Sequence, residues 1–133
     1  VTSRKNDILV GHSIGCQTII RFLEGLSSGQ KVDRVIMVAP WLTLNNLESD
    51  ESWKIADPWL KTPIDFSKVK TKANSFTAIF SDNDPWVPLD NQDDFKERLN
   101  SEIVIEHNKG HFSGDDEITQ LPIVLKVLLR TSK

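Results

Sequence analysis

The chain has 133 residues, 38% of them hydrophobic and 26% charged, with a formal net charge of −3 and a pI near 5.6. That length suits one domain, 1–133, with a genuine core, yet is short for a complete α/β enzyme. Lysine and arginine are scattered, so the basic footprint of a nucleic-acid binder is missing, and no apolar run suggests a membrane span or signal peptide. The single cysteine, Cys16, excludes an internal disulfide and fits a reducing, cytoplasmic setting.

The first predicted element is a strand at Ile8-Leu9-Val10, followed at once by Gly11-His12-Ser13-Ile14-Gly15. Gly-x-Ser-x-Gly between a strand and a helix is the pattern of a nucleophile elbow, where a sharp turn holds a serine hydroxyl clear of the backbone. Glycines two positions either side of Ser13 are expected to keep side chains out of that turn. The N–H of Ile14, at a helix N-terminus, is placed to donate to an oxyanion. Cys16, Ile19, Ile20, Leu23 and Leu26 then recur at helical spacing, and Ser27-Ser28-Gly29 closes the segment. Cys16 falls in the first turn, where the helix dipole lowers a thiol pKa, but the expected role is a small buried residue that lets helix and sheet approach.

Residues 34–39 form a continuous apolar run ending at Pro40, the look of a strand buried on both faces. The connection 41–74 is irregular and carries Trp41, Trp53 and Trp59, with short helices expected near 51–56 and 65–72. It leaves a strand end and is a candidate lid or acyl pocket, with Trp41 and Trp86 as candidate lining residues. A third strand at 76–80 runs into Ser81-Asp82-Asn83-Asp84-Pro85, and Asp90 is placed to cap a helix ending near Leu99. A fourth strand at 103–105 leads through a polar turn to Gly110-His111-Phe112. Leu121, Val124, Leu125, Leu128 and Leu129 make the apolar stripe of a closing helix, with Pro122 in its first turn and Asp115 and Asp116 as its N-terminal charges.

Strands alternating with helices imply an α/β fold with a parallel sheet and right-handed crossovers. Ligands in such sheets sit beyond the C-terminal strand ends, the edge shared by the elbow, the Asp82–Asp84 turn and the Gly110-His111 turn. A serine hydroxyl needs a base to take its proton, and the base needs an orienting acid. Of the three histidines, His12 is read as structural and His107 as a solvated surface residue. His111 sits on a loop able to lean back toward Ser13. Asp82 and Asp84 are both candidate acids, with Pro85 stiffening the loop at Asp84; turn-making alone is the plainer alternative for both. Ser13, aspartate, His111 is the chain order expected on this fold. No cofactor is required, and no His, Cys or Asp cluster has metal-ligand spacing.

Gly-His-Ser-x-Gly behind a strand, Ser-Asp-Asn-Asp-Pro-Trp-Val-Pro at 81–88 and Gly-His-Phe at 110–112 together resemble the small α/β-hydrolases of the YdeN and retinoblastoma-binding-protein-9 type. The resemblance runs from the elbow to the C-terminus. It implies a triad of Ser13, Asp84 and His111, choosing Asp84 over Asp82, and a small-molecule acyl substrate, an ester or an amide. The Leu-x-Cys-x-Glu motif through which one member binds a retinoblastoma protein is absent, since the cysteine here stands in Ile14-Gly15-Cys16-Gln17-Thr18. Members of that family begin with a strand and a His-Gly loop that gives a second oxyanion donor. The chain, opening at Val1, carries no such segment, so the expected fold is an α/β-hydrolase lacking its N-terminal strand or strands. Loss of one donor costs ~10²–10³ in rate, and the 133 residues alone are expected to be poorly active. The expected chemistry is carboxylic-ester hydrolysis through an acyl-enzyme on Ser13. Amidase or thioesterase activity is the alternative within enzymes, and a non-catalytic protein-interaction module the alternative outside them.

Overall fold

The structure, a computed structural model, describes residues 6–113 and 121–129. Four strands, β1 (Ile8–His12), β2 (Val32–Val38), β3 (Ala73–Ser81) and β4 (Glu102–Glu106), lie side by side in that order, each parallel to its neighbour. Helix α1 (Ile14–Glu24) joins β1 to β2. Helices α2 (Asp50–Lys61) and α3 (Phe66–Lys70) lie between β2 and β3, α4 (Asn91–Leu99) joins β3 to β4, and α5 (Pro122–Leu129) follows.

The middles of the two central strands, 35–38 and 76–80, are buried and apolar but for Thr77, because helices cover both faces of the sheet. Val35, Met37, Phe76, Ala78 and Phe80 point to the side of α1 and α4, where Phe80 meets Phe95 with ring centroids 6.2 Å apart. Arg34, Ile36, Val38 and Ile79 alternate onto the other face. There the buried Arg34 donates to Val127 O and Leu128 O of α5. Because all four strands run the same way, their C-terminal ends share one edge, and Ser13, Trp41, Asp84 and His111 each follow a different strand there.

Several elements depart from their sequence expectations. Helix α1 stops at Gly25, whose N–H reaches Arg21 O and Phe22 O, ahead of the Ser27-Ser28-Gly29 turn. Helix α2 is longer than expected and passes through Pro58, started by Ser49, whose hydroxyl accepts from Ser52 N–H. Asp90 occupies the N-cap position of α4 but makes no side-chain cap. Its backbone is already helical, and the first N–H groups of α4 bond instead to Pro88 O, Leu89 O and Asp90 O. On α5, Leu125 and Leu129 face outward, 57% and 74% exposed, while Val127 is buried. The helix is apolar on nearly every side, so spacing alone cannot select its inner face. Asp115 and Asp116 lie outside the described residues.

Candidate active site

The site begins at the turn between β1 and α1. Ser13 has φ 56° and ψ −119°, a backbone conformation that costs a non-glycine residue about 1–3 kcal/mol. Its N–H is held by Val38 O at 2.8 Å, so β2 fixes the turn from the side. The steric demand falls on Gly11, where a Cβ would sit 2.7 Å from Ile19 Cδ1 and 3.0 Å from Gly15 C. Gly15 is different: a Cβ there would meet nothing within 4 Å, so the expectation that both glycines relieve crowding holds for one only. Ile14 opens α1, and its N–H is one of the first-turn donors that have no acceptor within the helix. Cys16 is fully buried against Val38 O, and burial pushes its thiol far above the ordinary range, overriding any effect of the helix dipole.

His111 Nε2 lies 2.8 Å from Ser13 Oγ, and His111 Nδ1 lies 2.8 Å from Asp84 Oδ2. The side chains of His111 and Asp84 are 10% and 2% exposed, so the carboxylate–imidazole contact is shielded from water. The other Asp84 oxygen accepts from Trp86 N–H and Val87 N–H at 3.0 and 3.1 Å, an arrangement that needs the tight turn at Pro85. Asp82 goes elsewhere. It pairs with His107 Nδ1 at 2.6 Å and accepts from Asn108 N–H, on the surface. Each member of that pair stabilises the charged form of the other, lowering the Asp82 pKa and raising that of His107. His107 is therefore exposed but not idle.

The loops bearing Asp84 and His111 are laced together residue by residue. Lys109 N–H donates to Ser81 Oγ, and Gly110 N–H to Asn83 Oδ1, which also accepts from Ser81 Oγ. His12, one position before the serine, reaches the same loop, its Nε2 donating to His111 O at 2.7 Å. The rings of Trp86 and His111 meet in a T-shaped contact with centroids 5.0 Å apart. Positions not foreseen from sequence complete the support. Gln17 donates to Trp41 O, and the buried Asn91 holds Leu42 N–H and Thr43 N–H on one oxygen, tying the loops after β2 and β3. A polar Gln17 on the otherwise apolar face of α1 was the one available signal.

Ser13 and His111 open into a cavity of about 160 Å³. Trp41, Leu44, Leu47, Ile55, Ala56 and Trp86 make its walls, so the connection after β2 supplies most of them. Trp59 lies in a separate cavity beside Leu42 and Phe66, and Trp53 is 39% exposed. Among the described residues, no group of three or more His, Cys, Asp or Glu is placed to hold a metal ion, and no helix is long and apolar enough to cross a membrane.

The protein family described as Serine hydrolase matches residues 1–130. YdeN of Bacillus subtilis (strain 168), a protein named for hydrolase function, is 30% identical over 127 residues, covering 96% of this chain and 64% of its own length. The solved structure of the ydeN gene product from that species superposes with a TM-score of 0.82 at 29% identity, over 95% of this chain and 65% of the other. A YdeN-like protein from Pectobacterium atrosepticum shares the fold at a TM-score of 0.60 and 21% identity, over 91% of this chain and 56% of the other. The chain thus spans about two thirds or less of the length of these relatives. With an elbow serine, a four-stranded parallel sheet and a family match running almost end to end, the chain belongs to the serine hydrolase family of α/β-hydrolase fold.

Proposed function

We propose that this chain carries the acyl-transfer site of a serine hydrolase acting on small carboxylic esters, with Ser13 as nucleophile, His111 as base and Asp84 as its orienting acid. The observation that carries the reading is the unbroken relay of two 2.8 Å contacts from Asp84 Oδ2 through the His111 ring to Ser13 Oγ. With its proton on Nδ1, facing Asp84, the neutral ring offers the Nε2 lone pair to the serine hydroxyl. As Ser13 Oγ bonds to the substrate carbonyl carbon, its proton passes to Nε2, and Asp84 stabilises the imidazolium. Ile14 N–H donates to the oxyanion. The leaving alcohol takes the proton from Nε2, and water, deprotonated in turn by His111, releases the acid and restores the serine.

The small apolar cavity favours a short, uncharged acyl group against Trp41, Leu44 and Trp86. The connection 41–74 thereby serves as the acyl pocket wall. An amide or thioester would undergo the same steps, and a panel of matched short-chain esters, thioesters and amides separates the three. The test of the reading is active-site labelling. A fluorophosphonate probe is expected to modify the full-length protein and not its Ser13→Ala variant. Absence of labelling in the unaltered protein would favour a non-catalytic binding module on the same fold.

A further inference from the structure

Beyond the relay, one more group touches the proposed nucleophile. The indole Nε1–H of Trp41 points at Ser13 Oγ from 3.2 Å. The contact is built rather than incidental. Ala39, at the end of β2, adopts φ 50°, a left-handed conformation unfavourable for alanine, while its N–H is held by Ile79 O. The turn it makes, through Pro40, brings Trp41 back across the strand ends. Gln17, one helical turn beyond Ser13, then fixes the backbone of Trp41 by donating to its carbonyl at 2.9 Å. Trp41 is 3% exposed as a residue, so its N–H is screened from competing water. A hydrophobic wall alone would need none of these fixtures.

Resting on the function proposed above, we infer that Trp41 is a further catalytic residue, whose indole N–H stabilises charge on Ser13 Oγ as the serine is acylated and released. A serine oxygen has two lone pairs. Trp41 N–H takes one, the hydroxyl proton goes to His111, and the second lone pair stays free to attack. Negative charge grows on Oγ when its proton moves to His111. It grows again after water has added to the acyl-enzyme, when the acyl carbon–Oγ bond breaks and its electron pair returns to Oγ. In that second step His111 gives Oγ the proton it took from water, so charge and atoms balance. A donor fixed on Oγ binds these charge-bearing states more tightly than the neutral hydroxyl, and that difference lowers the barrier. Trp41 then has two functions, as one wall of the acyl pocket and as the donor to the nucleophile.

The test separates the N–H from the ring. Trp41→Phe removes the donor and some ring volume; 3-benzothienylalanine at position 41, with sulfur in place of N–H, keeps the bicyclic shape. In full-length protein, both are expected to slow fluorophosphonate labelling of Ser13, and kcat for a short-chain p-nitrophenyl ester, by about tenfold, with KM within about twofold. Wild-type rates in the benzothienylalanine variant overturn the inference, whatever Trp41→Phe does, since the ring alone would then suffice. Should Trp41→Phe fail to fold, as judged by its melting curve, the benzothienylalanine variant decides. Labelling that survives Ser13→Ala would instead defeat the underlying reading of the site and leave a different signature.

Discussion

The site's three principal side chains reach one another only because each is fixed by something other than its partners. Asp84 is the clearest case: two backbone N–H groups hold one carboxylate oxygen, leaving the other for His111 Nδ1. Replacing it with asparagine keeps the shape and presents an amide N–H or a neutral oxygen to the ring. The favoured tautomer then changes, and kcat is expected to fall by about 10⁴-fold with the melting temperature little altered. Retained activity in Asp84→Asn would argue that the acid lies elsewhere. The neighbouring thiol gives an opposite kind of prediction. Burial keeps Cys16 protonated, so it should resist iodoacetamide in the native protein and react only after denaturation. The convergence of Ser13 and His111 with one of two aspartates could be read from sequence because each sits in a short local pattern behind an apolar strand. The preference for Asp84 over Asp82 came from the family resemblance rather than from the residues alone. Gln17, Asn83 and Asn91 could not be read this way. Their work is done through backbone atoms of residues up to 49 positions away, and a polar residue in a loop or on a helix gives no local sign of its distant partner.

Among the elements, the strap between the β3 and β4 loops governs where His111 stands. Its outer rung is the Asp82–His107 pair, solvent-exposed and therefore sensitive to pH and salt. His107 has a raised pKa in the folded chain, so its contribution is complete below its ordinary value of 6.5 and is lost as pH rises through the raised value. Asp82 has a lowered pKa, so its contribution is complete above its ordinary value of 3.8 and is lost as pH falls through the lowered value. The rung is therefore strongest between those two ordinary values. Comparing wild type with His107→Gln by amide hydrogen exchange at Asn108 to Gly110, the greatest loss of protection is expected in that window, shrinking toward alkaline pH and in high salt. A difference that grows as pH rises would contradict the assignment. The strands themselves were legible, since a continuous apolar run has few alternatives in an α/β chain. The faces and ends of helices were less so. Asp90 has the right chemistry for a cap, but the preceding turn supplies carbonyl acceptors first. The sequence Pro-Ile-Val-Leu-Lys-Val-Leu-Leu of α5 offers a choice of stripes, which only the sheet beneath it resolves.

On the scale of the molecule, alternation of strands and helices pointed to a parallel sheet, but nothing in it announced the strand order or what secures the helix on the far face. That role falls to Arg34. It stands in the middle of the sheet on β2, 8% exposed, and its two terminal nitrogens donate to Val127 O and Leu128 O at 2.9 and 2.8 Å. The two carbonyls lie in the last described turn of α5, and the planar, charged guanidinium donates to both at once. An eight-residue helix is too short to persist by itself in water, so α5 depends on its docking. Arg34→Met keeps an apolar stem of similar length on the sheet but leaves the two carbonyls without their donor. Loss of a charge-assisted pair of this kind costs about 1.5–3 kcal/mol, and the melting temperature is expected to drop by several degrees. Hydrogen exchange adds the spatial test: amides of α5 should lose protection first, while those of β2 and β3, covered by α1 and α4 on the other face, keep theirs. Arg34→Lys, with a point charge in place of a fork, should recover only part of the loss. If both variants melt with wild type and α5 exchanges no faster, the helix is secured by its apolar contacts and the arginine is merely accommodated.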